Sequence, residues 1–198
     1  MEEGSATIRT GAVLRKSKTA MIGYALFETA IGVCGVAWGE RGVVGLWLPD
    51  SGRDPLRRRI ARRIPDAREL PPTPPIRQAV ESIQELFAGR RPDLSSVSLD
   101  MTGLADFDRR VYEAARRIPA GDTATYGEIA ARIGDRALAR EVGQALARNP
   151  FPIVVPCHRV LAAGGRNGGF SAPGGVATKL RLLAIEGARA PGIPTLFP

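Results

Sequence analysis

The chain has 198 residues, of which 44% are hydrophobic and 24% charged, so it is long and apolar enough for one or two globular units. Its formal net charge of +8 favours a polyanionic partner, nucleic acid first. Two cysteines and one histidine do not suggest a disulfide framework, and they cannot build a zinc site unless carboxylates help, so we expect no metal.

The first residues of the sequence do not predict a signal peptide. The chain begins Met1-Glu2-Glu3, which is acidic and lacks the apolar region of a signal peptide. No apolar run in the chain approaches the ~20 residues that span a bilayer. We therefore expect a cytoplasmic protein without membrane contact. Residues 1–19 are polar and without periodicity, which predicts a disordered lead-in.

A meander of three strands is predicted next. Short turns at 29–30 and 39–41 separate three apolar, strand-like runs at 21–28, 31–38 and 42–48. Cys34 lies inside the second run, so we interpret it as a core residue of the strand.

A basic amphipathic helix is predicted over residues 53–68. Leu56, Ile60 and Ile64 recur every four residues, and arginines cover the remaining surface. A solvated face explains these arginines better than direct contact with DNA.

The proline-rich stretch 71–75 is a stiff break before another helix, at 76–87. Residues 97–99 are apolar enough to return to the sheet. We therefore predict a small α/β unit over residues 20–100, and nothing in it forms a convincing catalytic set.

A mostly helical unit is predicted over residues 104–190. Asp122 or Thr123 is suited to cap its second helix, with Glu128 adding to the cap. A short turn containing Gly134 joins the second helix to the third, and this arrangement is typical of a helix-turn-helix motif. The three helices are predicted at 107–118, 126–133 and 137–148.

The third helix has two distinct faces. One is apolar and suits a core, with Leu138, Val142, Ala145 and Leu146. The other face has small side chains, glycine and alanine, with one long arginine side chain among them. Such a face suits shallow, sequence-tolerant contact with DNA better than the reading of base edges. A plain amphipathic surface helix is the alternative. The members of this second face are Arg140, Gly143, Gln144 and Ala147.

The only histidine, His158, adjoins Cys157. An extended apolar segment at 153–155 is predicted to end at Pro156 and present the thiol at a turn. Positive charge from His158 and Arg159, or a helix start, would lower the pKa of the thiol. Neighbours on a strand face opposite sides, so either the chain turns at Cys157 or a water carries the proton. The alternative is an inert buried cysteine.

These residues carry a family resemblance. Val155-Pro156-Cys157-His158-Arg159-Val160, with Tyr126-Gly127-Glu128 before it and Leu182-Leu183-Ala184-Ile185-Glu186-Gly187 after it, resembles the O6-alkylguanine-DNA alkyltransferases. These are also called methylated-DNA–protein-cysteine methyltransferases. The resemblance is dense over 105–188 and fainter in the amino-terminal half, at 28–32. It implies an α/β (α+β) fold, with an RNase-H-like amino-terminal domain and a helical domain with a DNA-binding helix-turn-helix. It also implies a monomer, and a tail at 191–198 lies beyond the second domain.

The resemblance also implies roles. Cys157 takes the alkyl group from O6-alkylguanine in double-stranded DNA, His158 is the base through a water, and Glu186 orients His158. Tyr126 donates to the flipped base, and Asn149 is the hinge. Each molecule reacts once, and no cofactor is implied. The implied DNA-contacting residues are Tyr126, Gly127, Arg140, Gly143, Gln144 and Ala147, with Arg140 filling the gap left by the flipped nucleotide. The implied substrate pocket consists of Pro156, Arg159, Val160, Phe170 and Ser171.

The chain departs from the family in several places. Phe170 stands where the family commonly has tyrosine, and two extra residues precede the paired glycines at 174–175. Asp108 and Tyr112 replace the usual glutamine and tryptophan, which we interpret as packing changes. Asp135 lies near the expected phosphate contacts and is unfavourable for DNA. On spacing alone, Tyr126 suits the core and Glu186 a solvated face.

Two other classes of protein compete with repair. One is a non-catalytic protein that binds alkylated bases and flags lesions, and Cys157 argues against it. The other is a Cys-His hydrolase or acyltransferase with repeated turnover. A transcriptional switch would require a zinc module that two cysteines and one histidine do not supply.

Overall fold

The structure, a computed structural model, describes residues 21–188. The predicted lead-in at 1–19 and tail at 191–198 lie outside these residues. The strands are β1 (Gly23–Thr29), β2 (Gly32–Gly39), β3 (Gly42–Trp47), β4 (Arg68–Glu69), β5 (Ala124–Thr125) and β6 (Val160–Leu161). The helices are α1 (Arg53–Arg63), α2 (Pro74–Phe87), α3 (Asp106–Arg116), α4 (Tyr126–Arg132), α5 (Ala139–Ala147) and α6 (Gly175–Ile185).

The predicted meander forms most of a four-stranded sheet in the order β3-β2-β1-β4, antiparallel except for the parallel β1–β4 pair. Residues 98–100 return to the edge of β3, where the Val43 N–H donates to Ser98 O at 2.9 Å and the Asp100 N–H donates to Val43 O at 2.8 Å. Gly42 allows this approach, since a Cβ there would lie 2.4 Å from Ser98 O. The predicted α/β class is confirmed.

The two faces of the sheet carry different helices. Phe27 of β1 and Cys34 of β2 face the main core together with α2, as the strand alternation requires. Helix α1 covers the opposite face, where Ile60 Cδ1 lies 3.0 Å from the ideal Cβ position of Gly35. The predicted extension of this helix to Arg68 is wrong. The helix ends at Arg63 because Ile64 precedes Pro65, which disfavours helical geometry at Ile64.

Helices α4 and α5 form the predicted helix-turn-helix. Thr125, rather than Asp122 or Thr123, caps α4: Thr125 Oγ1 accepts from the Glu128 N–H at 3.2 Å, and Glu128 Oε2 accepts from the Thr125 N–H at 2.6 Å. This is a complete capping box. A 3₁₀ turn at Arg136–Leu138 occupies the first residues of the predicted third helix.

The buried core continues across the predicted boundary near residue 100. It joins Val36 and Ile83 of the first unit to Val111 and Val155 of the second. The Leu46 N–H on β3 also donates to Pro150 O at 2.9 Å. The amino-terminal layer therefore reaches the segment that carries Cys157. None of the helices within 21–188 has the length and apolarity to cross a membrane.

Candidate active site

A loop closed by hydrogen bonds, residues 149–155, precedes Cys157. The predicted extended segment at 153–155 is wrong, since the chain forms a turn there with Ile153 at a φ of 80°. Asn149 closes the loop: its Oδ1 accepts from the Phe151 N–H and its Nδ2 donates to Val155 O, both at 2.9 Å. The Val155 N–H donates to Phe151 O at 2.8 Å. These bonds hold Ile153 in a backbone region that β-branched residues rarely adopt.

Cys157 begins a 3₁₀ turn, Cys157–Arg159, so the chain does turn at the cysteine. The residue is 9% exposed and lines two cavities of about 600 and 480 Å³. Its thiol is therefore packed by the core yet reachable from open space. Cys34, in contrast, is buried in β2, and burial raises its pKa to about 12.

Burial raises the pKa of the Cys157 thiol, whereas the sequence predicted a lowered value. The Asn149 side chain, the charge of Lys179 and the backbone N–H groups of Cys157 and His158 act in the opposite direction. The expected help from Arg159 is absent because Glu186 pairs with that charge. The resting thiol is thus protonated near neutral pH and needs a base to become a thiolate.

The neighbouring residue, His158, is the candidate for that base. His158 Nε2 lies 2.9 Å from Glu186 Oε1, and both side chains are buried. Burial alone would raise the pKa of Glu186, but the charges and hydrogen bonds of His158 and Arg159 lower it to about 2. An ionised carboxylate only accepts, so Nε2 carries the proton and Nδ1 keeps a lone pair. Within residues 21–188, Nδ1 has no hydrogen-bond partner.

Three residues implied for the substrate pocket lie elsewhere. Arg159 is buried and forms a fork with Glu186, donating from Nε to Oε2 at 2.9 Å and from Nη2 to Oε1 at 2.8 Å. It also donates to Ile118 O, so it supports Glu186 and lines neither cavity at Cys157. Val160 is buried in β6, and Pro156 is buried as well, with neither lining those cavities.

The sequence interpretation missed Lys179. Its side chain is fully buried, and Nζ donates to Val160 O at 2.6 Å. The pKa of Lys179 is lowered to about 8 because burial disfavours its charge, although the negative charge of a Cys157 thiolate opposes this shift. One signal was available: Lys179, Leu182 and Glu186 share one face of α6, so a lysine stood in a buried stripe.

We expect Lys179→Met to slow the reaction of the Cys157 thiol with an alkylating reagent about tenfold at pH 7, because a nearby cation favours the thiolate. The Cys157 thiol pKa then rises, and the pH–rate profile moves to higher pH. The rate of iodoacetamide alkylation, measured against pH, tests this. Arg181→Met removes an exposed cation from the same helix and is the control. Equal profiles for the two variants would contradict a role for Lys179.

Tyr126 lies between the helix-turn-helix and the loop after the cysteine. The Tyr126 ring is 3.8 Å from the ideal Cβ position of Gly143. The Tyr126 hydroxyl is 3.0 Å from the ideal Cβ position of Gly168. Burial, and then the charge of Cys157, raises the pKa of Tyr126, so the phenol stays protonated and able to donate. It lines the 480 Å³ cavity together with Arg140, Gly143, Ala147 and Cys157.

The remaining implied DNA-contacting residues are on or near the same surface. Arg140, Gln144 and Ala147 are exposed on α5, while Gly127 lies on α4 beside Arg136. Gln144 and Gly127 do not line the 480 Å³ cavity.

The loop after the cysteine closes both cavities. Phe170 and Ser171 line each of them, next to Cys157 and Ala147. The paired glycines lie at the start of α6, with Gly174 in the left-handed region at a φ of 78°. The two extra residues therefore lengthen the approach to α6.

Three departures from the family have structural partners. Tyr112 is buried, donates to Ala145 O at 3.0 Å and packs edge-on against Phe151, with ring centroids 6.5 Å apart. Asp108 accepts from Arg148 at 2.9 Å, which ties α3 to the end of α5. Asp135 accepts from the Ala137 N–H at 2.8 Å and caps the 3₁₀ turn before α5.

Comparison with known proteins gives consistent matches. The family described as "6-O-methylguanine DNA methyltransferase, DNA binding domain" matches residues 106–188. A methylated-DNA–protein-cysteine methyltransferase of Methanothermobacter thermautotrophicus is 36% identical over 158 residues, covering 80% of this chain and 81% of that protein. The Mycobacterium tuberculosis protein OGT, solved in complex with DNA, has a TM-score of 0.69 at 35% identity, covering 89% of this chain and 99% of that one.

A Thermus thermophilus protein named "DNA base-flipping protein" is 45% identical over 108 residues, covering 54% of this chain and 71% of that protein. The residues of the family match include Cys157, His158, Lys179 and Glu186.

Proposed function

The chain belongs to the methylated-DNA–protein-cysteine methyltransferases, and on that premise we propose that it repairs DNA by moving an alkyl group from guanine O6 to Cys157 Sγ. Methyl is the group for which the family is named. The observation that carries the assignment is one reachable thiol, at the junction of two cavities, beside a histidine oriented by a buried carboxylate. The family membership confirms the resemblance seen in the sequence.

The reaction begins with ionisation of the thiol. His158 Nδ1 takes the proton of Cys157 through a water, while Glu186 stabilises the resulting imidazolium. Lys179 stabilises the thiolate by its charge. A soft thiolate is the side-chain nucleophile best suited to attack a saturated carbon at neutral pH.

Transfer then forms one bond and breaks one. A sulfur electron pair attacks the alkyl carbon, the carbon–O6 bond breaks, and its electron pair goes to the guanine. Tyr126 donates a proton to the leaving base, and the proton held by His158 restores the phenol through solvent. The products are a Cys157 thioether and unmodified guanine, so atoms and charge balance.

The base must leave the helix to react, because O6 is buried inside a stacked duplex. The surface of α5 supports this step with small residues, Gly143 and Ala147, and with the exposed cation Arg140. Extrusion costs a few kcal/mol, and insertion of Arg140 into the gap offsets part of that cost. The flipped guanine enters the 480 Å³ cavity, where Tyr126 lines the wall.

We expect one methyl group per molecule and no second turnover, because thiolate is a poor leaving group and the thioether therefore persists. Intact mass spectrometry of the protein titrated with DNA containing O6-methylguanine measures this. A plateau at one methyl per chain supports repair. Continued product release after one equivalent would instead indicate a hydrolase or acyltransferase.

A second candidate is recognition without transfer. The similarity to the Thermus thermophilus base-flipping protein favours it, although that match covers only 54% of this chain. In this case the protein binds DNA containing O6-methylguanine tightly and its mass stays unchanged. The same titration separates the two functions.

A further inference from the structure

The 600 Å³ cleft at Cys157 has a basic wall, in which Arg59 and Arg148 are paired with the carboxylates of Asp50 and Asp108. Four of the side chains that line it are arginines, and none is acidic. Three of the four belong to α1 of the amino-terminal layer, across the cleft from the loop that carries the cysteine. The four are Arg59, Arg62, Arg63 and Arg148.

Only some of the arginines of α1 are paired with carboxylates. Arg53 pairs with Glu28, Arg57 with Asp54 and Glu69, and Arg59 with Asp50. Arg62 and Arg63, in the last turn, are exposed and have no carboxylate within 4.0 Å among the residues that the structure describes. The helix dipole favours cations at this end, but their placement in the wall of the cleft is a separate feature.

The cleft joins the expected path of the DNA. Ala147 of the α5 surface lines both this cleft and the cavity beside Arg140, and so do Cys157, Phe170 and Ser171. A duplex lying on α5 with one nucleotide turned toward Cys157 brings the strand of that nucleotide to the mouth of the cleft. Each nucleotide carries a phosphate, about every 3.4 Å along a strand.

We infer that Arg62 and Arg63 form a second phosphate-binding element, which holds the backbone of the strand that carries the flipped nucleotide. Guanidinium groups suit this role, because their planar donor fork matches the oxygens of a phosphate. The amino-terminal layer thereby becomes part of the DNA interface. The inference rests on the proposed function. It assigns a phosphate partner to the basic face of α1, for which the sequence analysis favoured contact with solvent only.

The test compares two double variants with the same loss of charge. Arg62→Gln/Arg63→Gln removes the element, while Arg58→Gln/Arg77→Gln removes two exposed arginines outside the cleft. We expect the first variant to bind O6-methylguanine duplex about tenfold more weakly at 0.15 M salt. Its slope of log affinity against log salt falls by roughly 1.8, about 0.9 for each lost phosphate contact. The control changes affinity less than about twofold.

Equal losses of affinity and salt slope in both double variants would overturn the inference, since only net charge would then matter. Failure of wild-type protein to accept methyl would refute the proposed function instead. If the double variant melts below the assay temperature, Arg62→Gln and Arg63→Gln are measured singly, each with a slope change of about 0.9.

Discussion

Replacing Cys157 by serine is expected to abolish alkyl transfer while DNA containing O6-methylguanine still binds. A hydroxyl is far less acidic than a thiol and is a harder nucleophile, so the loss in rate is at least about 10⁴-fold. The substitution changes one atom at a site that is only 9% exposed, and the DNA-facing surface of α5 is untouched. Intact mass spectrometry and a binding titration on the same samples measure both outcomes.

The other cysteine supplies a matched control. Cys34→Ser makes the same change in β2, outside the two cavities at Cys157, and is expected to keep full stoichiometric transfer. Peptide mapping of methylated wild-type protein is expected to place the methyl group on Cys157 alone. A methyl group on Cys34, or transfer by the Cys157→Ser variant, would contradict the assigned nucleophile.

Glu186→Gln is expected to slow transfer by roughly 10²–10⁴-fold, the range for loss of a positioned acid–base partner. A neutral amide can present its N–H₂ group to His158 Nε2, which favours the wrong tautomer and leaves Nδ1 protonated. The imidazolium also loses its counter-charge. Single-turnover kinetics at a temperature where circular dichroism shows both proteins folded isolates this effect.

The same substitution is expected to destabilise the fold. It leaves the Arg159 guanidinium buried without its carboxylate, a loss of about 3–5 kcal/mol in the free energy of unfolding at pH 7. Glu69→Gln removes an exposed partner of Arg57 and is the control, with a loss under about 1 kcal/mol. Equal urea midpoints for Glu186→Gln and the wild type would contradict the role of the buried network.

The pH dependence has a definite sign. The Glu186 pKa falls from an ordinary 4.5 to about 2 on folding, so its stabilisation is present above pH 4.5. The contribution is lost as pH falls toward 2, and the shift corresponds to about 3 kcal/mol. Urea unfolding of wild-type protein is expected to show this loss across that window. The Glu186→Gln variant is expected to lack that part of the slope.

Local patterns accounted for much of the architecture. Alternating apolar residues fixed β1–β3, and helical periodicity marked α2, α3 and α5, because each signal depends on neighbours within a few residues. The Cys157-His158 pair was visible in the same way, as adjacent residues with chemical meaning. The family resemblance pointed to Glu186, which spacing alone had placed on a solvated face.

Local patterns failed where distant groups compete for one side chain. Arg159 was expected to assist the thiol, but Glu186 is 27 residues away in sequence and pairs with it in the fold. The segment 153–155 appeared extended, yet Asn149 bends it through bonds on both sides. The sequence of the basic helix α1 did not predict that its last turn lines the same cleft as Cys157.

The sequence by itself predicted most of the elements, the proposed nucleophile and the basic character of the protein, because periodicity, residue chemistry and charge are properties of short stretches. Only the tertiary structure decided which charges the site retains: Glu186 pairs with Arg159 and with His158, the charge of buried Lys179 acts on the thiol, and Arg62 and Arg63 line the cleft. The physical reason is that burial and pairing depend on the whole packed core, which brings together groups that are far apart in the chain.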